Sequence, residues 1–161
     1  KAGWLIKPAA RNYFPEIDDP ELACSICRPQ EMSRYVESGM LDAGITGKDW
    51  TMENGSDIVV VEELIYSKVS KKPTRWVIAV AGDSGITRVE ELQGKRIATE
   101  LVNVTRRFFA ERNIQVEVVF SWGATEAKAV SGLADAMTTL GQIRLAYEHV
   151  AALRKVAAIG A

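Results

Sequence analysis

Three short segments combine glycines with side chains that could bind an anionic group, namely residues 41–49, 94–100 and 121–127. In each, an apolar stretch typical of a strand meets glycine or polar residues. Glycine lets a ligand approach the backbone closely and permits positive φ. Free N–H groups at a helix start can bind phosphate. These segments therefore favour the binding of sugars, nucleotides or phosphates.

In the first segment, Gly44 and Gly47 bracket Thr46, while Asp42 lies in a predicted strand and Asp49 follows the loop. A contact loop for a sugar or nucleotide could have this composition. A plain strand-to-helix turn with a capping Asp could have it equally well. The spacing alone does not separate the two interpretations.

The other two segments place polar side chains where predicted strands end. Thr99 could donate a hydrogen bond to a ligand, whereas Lys95 and Arg96 are expected in a solvated turn at the opposite end of the sheet. Gly123 precedes a predicted helix start, whose N–H groups could bind an anion. Glu126 could interact with that helix start or act as a general acid or base if the substrate lies within hydrogen-bond reach.

Predicted strands and helices alternate along the chain, which indicates an α/β fold with a largely parallel sheet. Strands are predicted at 21–27, 41–45, 58–61, 75–80, 97–99 and 116–120, and near 132–137; helices are predicted at 30–38, 50–54, within 84–92, at 103–112 and from 123–126 onward. Ligands bind outside the carboxyl ends of such strands. The loops after Ile45, Thr99 and Trp122 are therefore the expected site.

Two further segments set the predicted domain organisation. Residues 67–73 are polar and cationic and end in proline, which indicates a crossing between two lobes. Apolar residues recur at three- and four-residue steps within 140–161, which predicts an amphipathic helix that packs on another element. We expect a first lobe made of residues 1–73 and about 142–161, and a second lobe made of residues 74–141.

Composition excludes several classes of function. The 161 residues carry a formal net charge of −1, which argues against a nucleic-acid surface. No apolar run approaches the roughly 20 residues of a membrane helix, and no signal peptide is recognisable, so we expect a cytoplasmic protein. Cys24 and Cys27 would point to opposite faces of their predicted strand. They are interpreted as small core residues, and no metal ligands are predicted.

Taken together and in order, the segments resemble the catalytic core of the ATP phosphoribosyltransferase family. The resemblance spans residues 11–136 and rests on 12–19 (Asn-Tyr-Phe-Pro-Glu-Ile-Asp-Asp), 41–49, 94–100 and 121–128, with support from 75–80 and 103–107. It implies a two-lobed fold similar to type II periplasmic binding proteins, with the active site in the cleft. It also implies transfer of phosphoribosyl from phosphoribosyl pyrophosphate to ATP with release of pyrophosphate, the first step of histidine biosynthesis.

The same resemblance assigns cofactors, partners and site residues. It implies Mg²⁺ bound with the phosphoribosyl donor, and a homo-oligomer that can work with a regulatory subunit or domain. The implied substrate-binding residues are Arg28, Asp42, Gly44 and Gly47 in the first lobe and Thr99, Gly123 and Glu126 in the second. No single catalytic residue is assigned, because the reaction chiefly requires two anionic substrates to be held in line and the departing charge to be neutralised.

The two ends of the chain depart from the family pattern. The family begins with a strand, Pro-Lys-Gly and a helix, and residues 1–4 resemble only the end of that helix. After Ala136 the family has an acidic-Thr-Gly-Ser/Thr-Thr loop that binds the donor phosphate, which residues 137–142 do not reproduce. An active transferase and a catalytically silent binding or scaffold domain, truncated, chimeric or engineered, both remain open. A periplasmic-type solute receptor is disfavoured, since no signal peptide is present.

Overall fold

The computed structural model describes residues 3–8, 12–64, 75–140 and 153–159; the predicted crossing at 67–73 and residues 141–152 of the predicted terminal helix lie outside these ranges. The chain divides into two compact units. The first unit extends to Thr51 and includes Ser56–Ile58, and the second consists of Met52–Gly55 and the residues from Val59 onward. Residues 52–55, 59–64 and 153–159 belong to this second unit, and the predicted division into two lobes stays a prediction.

The first unit begins with a short antiparallel ladder between β1 (Ile6–Lys7) and β2 (Glu16–Ile17). Two aspartates after β2 hold this ladder in place. The backbone N–H of Leu5 donates to Asp18 at 2.8 Å, and the indole N–H of Trp4 donates to Asp19 at 3.0 Å. The expectation that the first residues form the end of a helix is therefore wrong for Gly3 and Trp4.

Two helices follow, α1 (Pro29–Glu37) and α2 (Lys48–Asn54), and the last three residues of α2 belong to the second unit. Proline begins α1 because its fixed φ suits the first helical position and its missing N–H is not needed there. Gly39, with φ of 73°, follows the end of α1 in the left-handed conformation that favours glycine. Both helices confirm the predictions at 30–38 and 50–54.

The strands predicted at 21–27, 41–45 and 58–61 are wrong, since none of these segments forms a ladder. A strand needs a hydrogen-bonded neighbour, and within the described ranges no strand lies beside them. Val59 and Val61 are accordingly 87% and 91% exposed. Cys24 and Cys27 are half-buried free thiols rather than core residues.

The second unit contains a five-stranded sheet with the order β5-β4-β6-β3-β7. Its strands are β3 (Trp76–Ala81), β4 (Arg96–Thr99), β5 (Glu117–Phe120), β6 (Ala136–Leu140) and β7 (Leu153–Ile159). β4 is parallel to β5 and β6, while β3 is antiparallel to β6 and β7. Four strands thus share one direction and β3 opposes them, which confirms an α/β fold with a largely parallel sheet.

A 3₁₀ helix (Val89–Leu92), α3 (Val102–Ala110) and α4 (Thr125–Val130) connect the strands. The core consists of fully buried side chains from the central strands and these helices, including Ile78, Val80, Ile97, Met137, Leu92 and Phe109. Each large apolar side chain buried in this way stabilises the fold by about 1.5–3 kcal/mol. In the described ranges, no helix is both long enough and apolar enough to cross a membrane.

The amphipathic helix predicted over 140–161 is wrong where the structure describes it. Leu153–Ile159 form β7, which extends along β3 with Ile159 opposite Trp76. Leu153 packs against a cluster of buried side chains that includes Ala79 and Met137. Hydrogen bonds to β3 satisfy the backbone N–H and C=O groups of this segment. The strand is therefore more stable here than the helix that the local pattern predicts.

Candidate functional site

Polar side chains gather where β4 and β6 approach their carboxyl ends. The hydroxyl of Thr99 shares hydrogen bonds with the hydroxyls of Thr105 (3.2 Å) and Thr138, and it accepts the N–H of Leu101 at 2.9 Å. All three threonines are buried. The described hydrogen bonds of Thr99 are internal and fix the chain leaving β4, and its role as a donor to a ligand stays a prediction.

A second hydroxyl pair lies at the end of β5. The hydroxyls of Ser121 and Thr125 are 2.9 Å apart, and the two residues are only 1% and 5% exposed. The ammonium of the half-buried Lys128 donates to Ser121 Oγ at 2.6 Å. A cation is thus held directly beside the carboxyl end of a parallel strand.

The turn between β5 and α4 is built from two consecutive residues with positive φ. Gly123 has φ of 67° and Ala124 has φ of 48°. No atom lies within 4 Å of a Cβ added at Gly123, so the backbone conformation, not crowding, favours glycine there. A left-handed conformation costs a non-glycine residue such as Ala124 roughly 1–2 kcal/mol.

Glu126 follows this turn and faces β6. Its Oε1 accepts a hydrogen bond from the hydroxyl of Thr139 at 3.4 Å. Thr139 adjoins Thr138 on β6, and Thr138 is the hydrogen-bond partner of Thr99. β6 therefore connects Glu126 with Thr99. The three residues predicted for the second lobe, Thr99, Gly123 and Glu126, therefore lie at the same end of the sheet.

The N-terminus of α3 is closed by a carboxylate from α2. Glu53, which is 9% exposed, accepts the backbone N–H groups of Asn103 and Val104, both at 2.9 Å. Asn103 Nδ2 in turn donates to the carbonyl of Glu53 at 3.0 Å, and Arg107 donates to the carbonyl of Met52. A protein carboxylate thus occupies the end of α3 that would otherwise attract an anion.

In the first unit, two predicted residues, Arg28 and Gly44, lie beside α1. Arg28 is the exposed N-cap residue, and the neighbouring loop is joined to the helix by Thr46, whose hydroxyl donates to the carbonyl of Pro29 at 2.7 Å. A Cβ added at Gly44 would lie 2.4 Å from the Met32 sulfur, so this glycine allows the loop to pack on α1. Such packing explains Gly44 without a ligand.

Gly47 and Asp42 occupy different surroundings. A Cβ at Gly47 would lie 2.1 Å from Asp49 Oδ1, whose carboxylate accepts the N–H of Trp50 at 3.0 Å. This arrangement agrees with a helix-opening turn that uses an aspartate. Asp42 is exposed on the irregular segment before the loop.

Potential metal ligands are dispersed. The described ranges contain no group of three or more His, Cys, Asp or Glu side chains that could hold a metal ion. The site can therefore supply hydroxyls, backbone N–H groups, a carboxylate and a cation, but its described residues form no cage for an ion.

The sequence family of this chain follows from a direct match. The family model described as HisG: ATP phosphoribosyltransferase matches residues 28–142. This chain belongs to the ATP phosphoribosyltransferase family. The match includes all seven predicted site residues and continues beyond residue 136, where the resemblance was expected to end.

Individual members of the ATP phosphoribosyltransferase family are closely similar to this chain in sequence. The ATP phosphoribosyltransferase of Solidesulfovibrio magneticus is 66% identical over 137 residues, and that of Nitratidesulfovibrio vulgaris is 64% identical. Each alignment covers 85% of this chain and 47% of the relative. The chain therefore spans about half the length of the curated relatives it matches.

A solved structure shows the same fold. The ATP phosphoribosyl transferase (HisG:HisZ) complex from Thermotoga maritima aligns with a TM-score of 0.76 and 22% identity, over 96% of this chain and 71% of that chain. At this identity the similarity concerns the fold alone. This fold similarity shows that the α/β architecture of the chain agrees with its family assignment.

Neither the residue patterns nor the resemblance to the ATP phosphoribosyltransferase family predicted a role for Lys128 or Glu53. A partial signal for Lys128 exists, because Thr125 and Lys128 are three residues apart in α4, which places them on one side of the helix. Glu53 has no such signal. Its partners Asn103 and Val104 are about 50 residues further along the chain.

Proposed function

We propose that this chain forms the catalytic part of an ATP phosphoribosyltransferase, which transfers phosphoribosyl from phosphoribosyl pyrophosphate to ATP in the first step of histidine biosynthesis. The observation that carries the proposal is the family match over residues 28–142, together with 64–66% identity to relatives of that name. The polar carboxyl ends of β4, β5 and β6 support it, since ligands of parallel sheets bind there.

The proposed step exchanges one bond for another at the ribose C1 carbon. The lone pair of an adenine ring nitrogen forms the new N–C bond while the bond from that carbon to pyrophosphate breaks. The electron pair of the broken bond leaves on pyrophosphate, and the purine ring acquires the positive charge. The protein must therefore align two anionic substrates and stabilise the charge that develops on the leaving group.

We assign the substrate-binding roles to Arg28, Asp42, Gly44, Gly47, Thr99, Gly123 and Glu126. An exposed guanidinium such as that of Arg28 is suited to phosphate, which it can bind through two parallel hydrogen bonds. Gly123 supplies backbone at the turn before α4. Thr99 acts from within the core, since its hydroxyl holds the segment that follows β4.

Mg²⁺ fits this proposal as an ion that arrives with the donor. Mg²⁺ is commonly bound through substrate phosphates and one or two carboxylates, not by an all-protein cage. The scattered acidic groups of the described residues agree with that mode. When bound, the ion would neutralise charge on the pyrophosphate group.

The proposal extends to assembly and location. The Thermotoga maritima protein is described as a HisG:HisZ complex. We propose that this chain acts as a homo-oligomer, together with a regulatory subunit or domain. We place the reaction in the cytoplasm. Light scattering of the purified chain, alone and with a candidate regulatory subunit, tests the assembly.

The test of activity is direct. The purified chain is mixed with ATP, phosphoribosyl pyrophosphate and Mg²⁺, and product formation is followed by ultraviolet absorbance, with a donor-free reaction as control. Donor-dependent formation of phosphoribosyl-ATP is expected. A folded sample that binds ATP and gives no product would refute activity and favour the silent scaffold domain.

A further inference from the structure

We propose that Lys128, held in place by Ser121, binds a phosphate group of a substrate at the carboxyl end of β5. This inference deepens the proposed function and rests on it for the nature of the ligand. Lys128 lies among the residues that resemble the family, yet neither composition nor spacing assigned it a role.

The ammonium of Lys128 is poorly compensated by its surroundings. It is half-buried, and its hydrogen bond goes to the neutral hydroxyl of Ser121 at 2.6 Å. Among the described residues, no carboxylate lies within ion-pair distance of it, in contrast to Lys95, which pairs with Asp135 at 3.6 Å. Removing a cation from water without an opposite charge is costly. A ligand anion would offset that cost.

The hydroxyls around Lys128 are arranged to hold the cation in one place. Ser121 and Thr125 are buried and hydrogen-bonded to each other, so their positions are fixed by the core. An ammonium has three donors, and the bond to Ser121 uses one of them. The remaining two can donate to oxygen atoms of a ligand.

The position of the cation matches the place where ligands of this fold class bind. Ser121 directly follows β5, and β5 is parallel to β4, so both strands end on the same side. Ligands of parallel sheets bind outside those ends. Phosphate oxygens form charge-assisted hydrogen bonds with an ammonium, which are stronger than neutral ones. A phosphate or pyrophosphate group is therefore the expected ligand.

A purely structural role for Lys128 makes a different prediction. If Lys128 only supports Ser121 and Thr125, its replacement should lower thermal stability and leave phosphate affinity unchanged. Lys128→Gln separates the two roles, because the amide can still donate to Ser121 but carries no charge. Lys128→Arg keeps the charge and should retain part of the affinity.

The experiment measures binding by calorimetry, using inorganic pyrophosphate, ATP and phosphoribosyl pyrophosphate as separate probes. Loss of one charge-assisted contact should weaken binding of pyrophosphate by roughly 10- to 100-fold in Lys128→Gln. Lys95→Met is the matched control, since it removes a lysine at the amino end of β4, and a change below about threefold is expected there. If ATP or phosphoribosyl pyrophosphate, like pyrophosphate, binds more weakly to Lys128→Gln than to the wild type, that substrate is the one that Lys128 contacts.

Each outcome decides the inference. Equal affinity in wild type and Lys128→Gln, or no binding of any probe by the folded wild type, overturns it. An equal loss in Lys95→Met would also overturn it, because the effect would then reflect net charge alone. If pyrophosphate binding depends on Lys128 but the turnover assay yields no product, the proposed function fails while this inference stands.

Discussion

Replacement of Glu53 by alanine should destabilise the second unit, because this carboxylate closes the N-terminus of α3. Loss of a capping side chain costs about 0.5–2 kcal/mol, and a buried donor left without a partner costs about 1–3 kcal/mol. Water can hydrate the N–H of exposed Asn103, whereas Val104 is only 7% exposed. The two contributions together predict a loss of about 2–3 kcal/mol.

Thermal unfolding followed by circular dichroism measures this loss. For a chain of this size, 1 kcal/mol lowers Tm by about 2–4 °C, so a loss of about 2–3 kcal/mol in Glu53→Ala should lower Tm by about 4–12 °C. Glu62→Ala is the matched control, because Glu62 is an exposed glutamate of the same unit. Hydrogen exchange should show a faster amide at Val104, since its N–H loses its acceptor.

The reasoning about Glu53 would be refuted by a Tm for Glu53→Ala that lies within about 1 °C of the Glu62→Ala value. Glu53→Gln provides a second test. A glutamine has one acceptor oxygen, so it can satisfy only one of the two N–H groups, and its amide hydrogens face the other. We expect an intermediate Tm.

Three further substitutions test separate features. Gly44→Ala places a Cβ 2.4 Å from the Met32 sulfur, so urea unfolding should show a loss of about 1–3 kcal/mol, and a smaller one in a Met32→Ala background. Thr138→Val removes the hydroxyl that pairs with Thr99 in the core, with an expected loss of about 1–2 kcal/mol in the same assay. The backbone N–H of Thr87, and to a lesser degree that of Arg88, lowers the pKa of Glu91 in the folded state. The stability that this carboxylate contributes should therefore be lost as pH falls below 4.5 and through the lower pKa of the folded state. Glu91→Gln should flatten the acid limb of a Tm-against-pH curve.

Elements of the second unit were predictable because their signals are local. The apolar run at 75–80 is β3, and the amphipathic pattern at 103–112 is α3, each displaced by no more than two residues. The segments at 41–45 and 58–61 have the composition of strands but form no ladder. Strand formation depends on a neighbour that the segment itself does not encode.

The turn and the helix start near the candidate site were predictable for the same reason, whereas the binding roles of its residues stay predictions. The local pattern of 123–126 indicated the turn at Gly123 and the start of α4, which begins at Thr125. It did not show that Thr99 is enclosed by Thr105 and Thr138. That arrangement depends on which strands adjoin, so it follows only from the order of the sheet.

The last strand shows how a local pattern can predict the wrong element. Ala157 lies opposite Ile78 and Lys155 lies opposite Ala79, so Val156 is an extra residue in a β-bulge. At a four-residue step, Leu153 and Ala157 would share one face of a helix, but their partners Ala81 and Ile78 lie on opposite faces of the sheet. The prediction over 140–161 was wrong at 153–159 because the ladder with β3, which the segment itself does not encode, determines its structure.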